Sequence, residues 1–251
     1  MIHFVGAGCG AADLITLRGK VLLEQADVIV YAGSLVNPAL LAYKKEGCRV
    51  YDSARMTLEE VLAVMQEAEA AGLDTVRLHT GDPCLYGAIR EQMDELDQRS
   101  IPYDYCPGVS AFSGAAAALK MEYTLPDISQ SVIITRMAGR TPVPEREGIA
   151  ALAAHGATMV IFLSAGMLEK LQGELLRGAY TEETPAAIVY KATWPEERVL
   201  RCPLGKLAET GKNAGIRKTA LIVVGDFLGD TYERSKLYDP AFSTEFREAS
   251  R

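Results

Sequence analysis

Cysteine and histidine are scarce in this sequence, and neither residue is spaced as in a metal site or a disulfide framework. Five cysteines are scattered over 251 residues without a CxxC pair, and His3, His79 and His155 show neither HxH nor HExxH spacing. An odd number of dispersed cysteines is typical of free thiols in a reducing compartment. Zinc sites need clustered ligands. We therefore expect neither a disulfide nor a metal.

Long apolar runs and a basic surplus are also missing. No apolar run approaches the ~20 residues of a membrane-spanning helix, and the N-terminus lacks the basic and apolar regions of a signal peptide. The sequence therefore predicts a soluble, cytoplasmic protein without a membrane partner. With 26 Lys and Arg against 33 Asp and Glu, the formal net charge is −7, which excludes a general nucleic-acid binder.

The acidic surplus is not evenly distributed. Residues 1–120 contain 10 basic and 16 acidic side chains, whereas residues 121–225 contain 12 basic and 11 acidic ones. A polyanionic ligand is therefore expected to contact the second half of the chain.

The residue pattern predicts an α/β fold with largely parallel strands, because short β-branched runs alternate with helical patterns. The pattern breaks at residues 121–130, which predicts one domain over 1–120 and another over 121–251, with a tail from about 226. Thr16 and Thr57 are expected to cap helices, the latter in a capping box with Glu60. The predicted strands are Ile2–Val5, Val28–Tyr31, Thr75–His79, Tyr103–Cys106, Val132–Thr135, Thr158–Leu163, Ala186–Tyr190, Arg198–Cys202 and Ala220–Val224.

A glycine-rich loop follows the first strand. Gly6, Gly8 and Ala11 satisfy the G-x-G-x-x-G/A pattern of dinucleotide-binding proteins. Such a site also needs an acid at the end of the second strand, and this strand ends in Ala32-Gly33. The alternatives are a dinucleotide dehydrogenase and a tight turn that needs small residues, and the missing acid disfavours the first.

Two further loops lie at expected strand ends, where open parallel sheets bind ligands. One is the segment 79–87 around Gly81-Asp82-Pro83, and the other is 106–111, which opens a helix rich in small residues. Both are also compatible with ordinary turns. In the second half, Arg136 and Arg140 flank a turn and are candidate partners for carboxylates, because guanidinium makes bidentate bonds to them. The alternative is that both are surface charges.

Several of these segments together resemble the tetrapyrrole methylases, a family of S-adenosylmethionine (SAM)-dependent enzymes. The matching segments cover about 225 residues in family order. They are Val5-Gly6-Ala7-Gly8, Asp13-Leu14-Ile15-Thr16, Thr80-Gly81-Asp82-Pro83, Pro107-Gly108-Val109-Ser110-Ala111 and Ala220-Leu221-Ile222. Segments 134–145, 190–195 and 215–218 are similar to the branch that methylates ring carbon 11 of precorrin-4 or cobalt-precorrin-4 in cobalamin biosynthesis.

The resemblance implies two unequal α/β domains with SAM in the cleft between them, a homodimer, and a tetrapyrrole polycarboxylate as substrate. The implied cofactor contacts are Thr80, Gly81, Asp82, Leu85, Ser110, Ala111, Leu163, Ala192 and Ala220. Arg136 and Arg140 are the candidate substrate contacts, and no catalytic base is assigned. The first loop departs from the family's usual GAGPGD at Cys9 and Ala11, so a direct ligand contact there is not carried over.

The activated methyl group of SAM requires mainly orientation and exclusion of water from the enzyme. The alternatives are a methylase that acts at another ring carbon or on uroporphyrinogen III, and a non-catalytic tetrapyrrole carrier.

Overall fold

The computed structural model describes residues 1–33 and 35–250, which form two compact units. The first unit contains Met1–Ala115 and Ala192–Glu196, and the second contains Ala116–Lys191 and the chain from Glu197 onward. Each unit is built around its own five-stranded sheet.

The sheet of the first unit is entirely parallel, as the sequence predicts. Its strands lie in the order β3-β2-β4-β1-β5. The strands are β1 (Ile2–Gly6), β2 (Val28–Tyr31), β3 (Arg49–Asp52), β4 (Thr75–His79) and β5 (Tyr103–Cys106), and the helices are α1 (Leu17–Gln25), α2 (Leu58–Ala70), α3 (Arg90–Gln98) and α4 (Ala111–Leu119). The sequence did not predict β3, because its residues Arg-Val-Tyr-Asp lack an apolar run and it pairs only with β2.

Both predicted helix caps are present. The Thr16 Oγ1 accepts a hydrogen bond from the Gly19 amide at 3.1 Å. Thr57 and Glu60 form the reciprocal capping box that starts α2. These bonds satisfy amides that have no partner inside their helices, so they fix where α1 and α2 begin.

Apolar side chains cover both faces of this sheet. Leu23 of α1 packs with Val5 and Ile29 on one face, and Met65 of α2 packs with Phe4 on the other. A parallel sheet buried on both sides favours continuous apolar strands. The buried polar residues of β4 are therefore exceptions that need a separate explanation.

The sheet of the second unit has the order β6-β7-β10-β8-β9 and is mostly antiparallel. Among the described strands of this sheet, β6 and β7 alone pair in parallel. The expectation of largely parallel strands is wrong here. For β8 and β9 the reason is the short segment between them, which permits a hairpin but no parallel crossover, whereas β10 pairs antiparallel with both β7 and β8. The strands are β6 (Val132–Arg136), β7 (Thr158–Phe162), β8 (Pro185–Tyr190), β9 (Arg198–Pro203) and β10 (Ala220–Val224), with helices α5 (Ile149–Ala153), α6 (Leu168–Leu176) and α7 (Leu207–Asn213).

Beyond β10, residues 226–250 contain two short 3-10 turns, at Asp226–Leu228 and Lys236–Tyr238. In residues 1–33 and 35–250, no helix has the length and apolar character to cross a membrane. The same residues contain no group of three or more His, Cys, Asp or Glu side chains placed to hold a metal ion.

Candidate functional site

Three glycine-containing loops meet at the carboxyl ends of β4, β1 and β5, which are adjacent in the sheet. The amide of Gly81 donates to the carbonyl of Gly8 at 2.9 Å, and the amide of Gly8 donates to the carbonyl of Gly81 at 3.2 Å. A Cβ at Gly6 would lie 2.6 Å from the Cα of Gly108, closer than carbon atoms pack. Gly81 has a φ of 60°, as its position in the loop predicts. Glycine at these positions therefore allows the three backbones to touch.

The two loops that the sequence singled out flank the first loop, since β1 lies between β4 and β5. Asp82 connects them directly. Its carboxylate accepts hydrogen bonds from the amide of Gly108 at 2.9 Å, from the amide of Cys84 at 2.8 Å and from the hydroxyl of Tyr105. One side chain thus fixes the spacing between the segments 80–87 and 106–111.

The same contacts determine the charge of Asp82. Partial burial by itself would raise the pKa of this carboxyl, but the bonds from Tyr105 and from the two amides outweigh that effect and lower the pKa below 3.8. Burial first, and then the bond to Asp82, raises the pKa of Tyr105. Asp82 is therefore an ionised acceptor in a fixed network, a state that suits organising the loops better than transferring protons.

Seven of the nine residues assigned to the cofactor lie in the first unit: Thr80, Gly81, Asp82, Leu85, Ser110, Ala111 and Ala192. Ala192 is buried, and its carbonyl oxygen lies against Gly10 of the first loop. The neighbouring Thr193 accepts a hydrogen bond from the Ala11 amide at 2.9 Å. The loop that departs from the family pattern is thus joined to a segment assigned to the cofactor, a contact that the sequence did not reveal.

The other two residues assigned to the cofactor, Leu163 and Ala220, lie in the second unit. Leu163 follows β7 with a φ of 53°, and the residue is 61% exposed. Leucine rarely adopts positive φ, and such backbone strain is concentrated at functional sites. Next to it, the buried Ser164 hydroxyl accepts from the Met137 amide at 2.9 Å and donates to the Phe162 carbonyl at 2.7 Å. Leu163 is therefore an exposed apolar residue beside a serine whose two hydrogen bonds hold the turn.

The two candidate substrate arginines differ in their surroundings. The Arg136 guanidinium donates to the carbonyls of Pro142 at 2.7 Å, Thr141 at 3.3 Å and Met137 at 3.4 Å. Arg140 lies in the loop that these bonds hold, and it is exposed. Arg136 therefore supports the loop, whereas Arg140 presents its charge to solvent.

A cavity of about 270 Å³, which the sequence did not predict, lies in the first unit where β2, β3 and β4 end. Tyr86 and Ala88 border it with φ of 59° and 49°, two further strained positions. One pattern in the sequence could have indicated this cavity. An arginine and a histidine alternate with apolar residues on a buried strand. The lining residues are Ala32, Leu35, Ser53, Met56, Thr57, Leu58, Val61, Arg77, His79, Thr80, Leu85, Tyr86, Gly87, Ala88, Glu91 and Gln92.

A carboxylate does lie near the end of β2, although that strand itself supplies none. Asp52 at the end of β3 accepts from the Gly33 amide at 3.1 Å and from the Ala54 amide at 2.9 Å. A Cβ at residue 33 would lie only 2.2 Å from an oxygen of Asp52. Glycine at position 33 thus makes room for the acid of the neighbouring strand.

The fold and these loops define a class: a two-unit α/β protein whose candidate ligand site includes the carboxyl ends of parallel strands. The chain belongs to the Tetrapyrrole (Corrin/Porphyrin) Methylases, whose family model matches residues 1–208. Its two α/β sheets with their helices form the fold of that family.

Three relatives show how close the resemblance is. A cobalt-precorrin-4 C(11)-methyltransferase from Methanocaldococcus jannaschii is 52% identical, over 99% of this chain and 96% of that protein. The X-ray structure of a cobalamin-biosynthetic cobalt precorrin-4 methyltransferase matches with a TM-score of 0.89 and 44% identity, over 91% of this chain and 96% of that one. A uroporphyrin-III C-methyltransferase from Thermus thermophilus, in complex with S-adenosyl homocysteine, matches with a TM-score of 0.75 and 26% identity, over 90% of this chain and 98% of that one.

Proposed function

We propose that this protein transfers a methyl group from SAM to ring carbon 11 of precorrin-4 or cobalt-precorrin-4 in cobalamin biosynthesis. The observation that carries the proposal is the 52% identity, over 99% of the chain, with a methyltransferase named for that reaction. The second candidate is methylation of uroporphyrinogen III, which the 26% identical uroporphyrin-III methyltransferase favours. Its lower identity and lower TM-score make it the weaker candidate.

The described residues fit SAM as the cofactor. The loops held by Asp82 bring Thr80–Asp82 and Ser110–Ala111 together through backbone contacts, and glycine keeps their surface free of bulky side chains. The exposed Leu163 offers an apolar surface suited to a flat adenine ring. We assign the cofactor contacts to Thr80, Gly81, Asp82, Leu85, Ser110, Ala111, Leu163, Ala192 and Ala220.

Orientation is the main task of these residues. SAM supplies a methyl group that its sulfonium already activates, so the carbon–sulfur bond breaks as the carbon–carbon bond to the ring forms. The fixed loops hold the cofactor in one position, which turns an encounter of two molecules into a reaction within one complex. Asp82 takes part by keeping the loops in place, with its carboxylate already engaged by three donors.

The assay that tests the proposal uses SAM with a ¹³C-labelled methyl group. We expect the purified protein to methylate precorrin-4 or its cobalt form, with the label at ring carbon 11 by NMR and one S-adenosylhomocysteine released per methyl group. Uroporphyrinogen III serves as the competing substrate. Label at another carbon, or faster turnover of uroporphyrinogen III, would contradict the assignment, and tetrapyrrole binding without S-adenosylhomocysteine would indicate a carrier.

We further propose that Arg136 and Arg140 help to hold the acetate and propionate groups of the substrate, Arg140 by direct contact and Arg136 by supporting the loop that carries Arg140. Arg140→Ala is expected to raise KM for the tetrapyrrole about tenfold, because one charge-assisted hydrogen bond to a carboxylate is lost. Arg136→Ala is expected to act through the loop and to lower the melting temperature as well, since it removes three bonds to carbonyls. The assay is steady-state kinetics with each substrate varied, beside thermal melts. An unchanged KM in the double variant would refute the role of both residues.

Two finer expectations accompany the proposed function. A homodimer and a cytoplasmic location remain predictions, the first open to light scattering on the purified protein and the second to cell fractionation.

A further inference from the structure

A row of polar side chains lies inside the apolar core of the first unit. Thr75, Arg77 and His79 alternate along β4 and so point to the same face of the sheet. They are 0%, 6% and 4% exposed, on the face where Phe4 and Met65 form the core. A buried polar side chain costs folding free energy unless it has partners, so the partners of this row indicate its role.

Arg77 is only partly satisfied by the protein. Its Nε donates to the Gln92 Oε1 at 3.0 Å, and its Nη1 donates to the Val30 carbonyl at 3.2 Å. Within residues 1–33 and 35–250, Nη2 has no hydrogen-bond partner and no carboxylate pairs with the guanidinium. Burial lowers the pKa of Arg77 to about 10, so the side chain still carries its charge at neutral pH. A buried guanidinium without a counter-charge is destabilising, and an anion would relieve it.

Within the described residues, His79 also has a polar atom without a hydrogen-bond partner. Its ring stacks on Phe4 with centroids 6.3 Å apart, and its Nε2 is fully enclosed without a hydrogen-bond partner in the described part of the chain. Both Arg77 and His79 line the 270 Å³ cavity. The hydroxyl-bearing Ser53 and Thr80 line it too, and so does the exposed Glu91. Two strongly buried side chains, each with a polar atom that lacks a hydrogen-bond partner in the described part of the chain, therefore line one cavity.

We propose that Arg77 and His79 form a binding pocket for a carboxylate, supplied by one acetate or propionate arm of the tetrapyrrole substrate. This assignment rests on the proposed function for the source of the carboxylate. A carboxylate accepts from Nη2 of Arg77 and from a ring N–H of His79, and it neutralises the guanidinium. At roughly 30 Å³ for each water-sized group, the cavity has ample room for the five non-hydrogen atoms of a propionate arm. The pocket is built from residues of the first unit, whereas Arg136 and Arg140 belong to the second.

The pocket is tested first with free propionate as the probe and NMR of the ¹⁵N-histidine-labelled protein. The chain contains only three histidines, so the spectrum is simple, and the signal lost in His79→Gln identifies the ring of interest. We expect propionate to shift the His79 signals in a saturable manner and to leave His3 and His155 unchanged. Propionamide, which lacks the charge, is expected to have no effect. An unchanged His79 signal, or an equal response to propionamide, would overturn the pocket.

Kinetics then identify the source of the carboxylate. Arg77→Gln is expected to raise KM for the tetrapyrrole ten- to a hundredfold while KM for SAM stays within twofold, and Arg77→Lys is expected to restore part of the loss. Arg90→Gln is the matched control, because Arg90 is exposed and pairs with Asp94 on α3. An unchanged tetrapyrrole KM, or an equal rise for both substrates, would refute recognition of a substrate arm.

The two experiments separate this inference from the proposed function. If Arg77→Gln does not fold, Arg77→Lys and the propionate titration of the unmodified protein decide the outcome. If the protein turns over no tetrapyrrole, the proposed function is wrong. The assignment of the carboxylate to an arm of that substrate is then wrong as well. The propionate titration still shows whether the carboxylate pocket exists.

Discussion

Replacing Asp82 by alanine is expected to weaken SAM binding by one to two orders of magnitude and to reduce turnover at subsaturating SAM by a similar factor. The carboxylate accepts from Gly108, Cys84 and Tyr105, so its removal leaves two amides and a hydroxyl without their acceptor. Each lost bond to a charged group costs about 1.5–3 kcal/mol, and 1.4 kcal/mol is a factor of ten in affinity. Part of the lost free energy appears as greater mobility of the two loops in the free protein, and SAM binding must then order them. Calorimetric titration with SAM and with S-adenosylhomocysteine measures the effect.

Three further variants isolate the cause. Asp94→Ala removes a half-exposed carboxylate of the same unit and is expected to leave SAM affinity unchanged. Tyr105→Phe removes one of the three bonds and should give a smaller loss than Asp82→Ala. Asp82→Asn has nearly the same shape but no charge, and we expect affinity and turnover to fall together. An Asp82→Asn protein that binds SAM normally but has no turnover would instead show that Asp82 transfers a proton.

The second large effect concerns the stability of the protein in acid. Burial, and then the neighbouring charge of Arg77, lowers the pKa of His79 from 6.5 to about 3. Between these two values the unfolded chain binds a proton at this residue and the folded chain does not, so the unfolding free energy decreases as the pH falls. Between pH 6.5 and pH 3, the contribution of His79 to the decrease in unfolding free energy approaches about 1.4 kcal/mol per pH unit, and it sums to several kcal/mol. Above pH 6.5 the folded protein retains this contribution to its stability in full.

The measurement is denaturant unfolding between pH 3 and pH 7.5 for the unmodified protein and for His79→Gln. The carboxylates of the chain titrate in both proteins, so the difference between the two curves isolates the histidine. We expect the curve of His79→Gln to be flatter between pH 3 and 6.5. His155→Gln is the matched control, because His155 is exposed, and it should follow the unmodified protein. Parallel curves for His79→Gln and the unmodified protein would show that the imidazole is protonated in the folded state.

The sequence was most informative where local chemistry decides the structure. Small residues and a capping threonine are sufficient to place the strand-end loops and the start of α1, because turns and caps need particular residue types. Strand β3 lacks such a signal, since its polar residues are tolerated only because it is an edge strand. The antiparallel order of the second sheet is likewise a property of strand pairing, which residue periodicity does not encode.

The candidate site likewise contains some features that the sequence predicts and others that it does not. The loops around Gly81 and Gly108 were predictable, because only glycine fits where backbones touch. The network around Asp82 was not, since Tyr105 is 23 residues away along the chain and reaches Asp82 only through the fold. The role of Arg136 was also hidden, because a sequence cannot show that a guanidinium is already occupied by carbonyls of its own loop.

The short segment Ala192–Glu196 has a consequence for how this protein can be divided. It belongs to the first unit, although the residues on either side of it belong to the second, so the chain passes between the units three times. A fragment that ends at Ala115 therefore lacks the hydroxyl of Thr193 that accepts from the Ala11 amide. Neither unit is a contiguous stretch of the gene, and an exchange of one unit between relatives has to carry this five-residue insert with it.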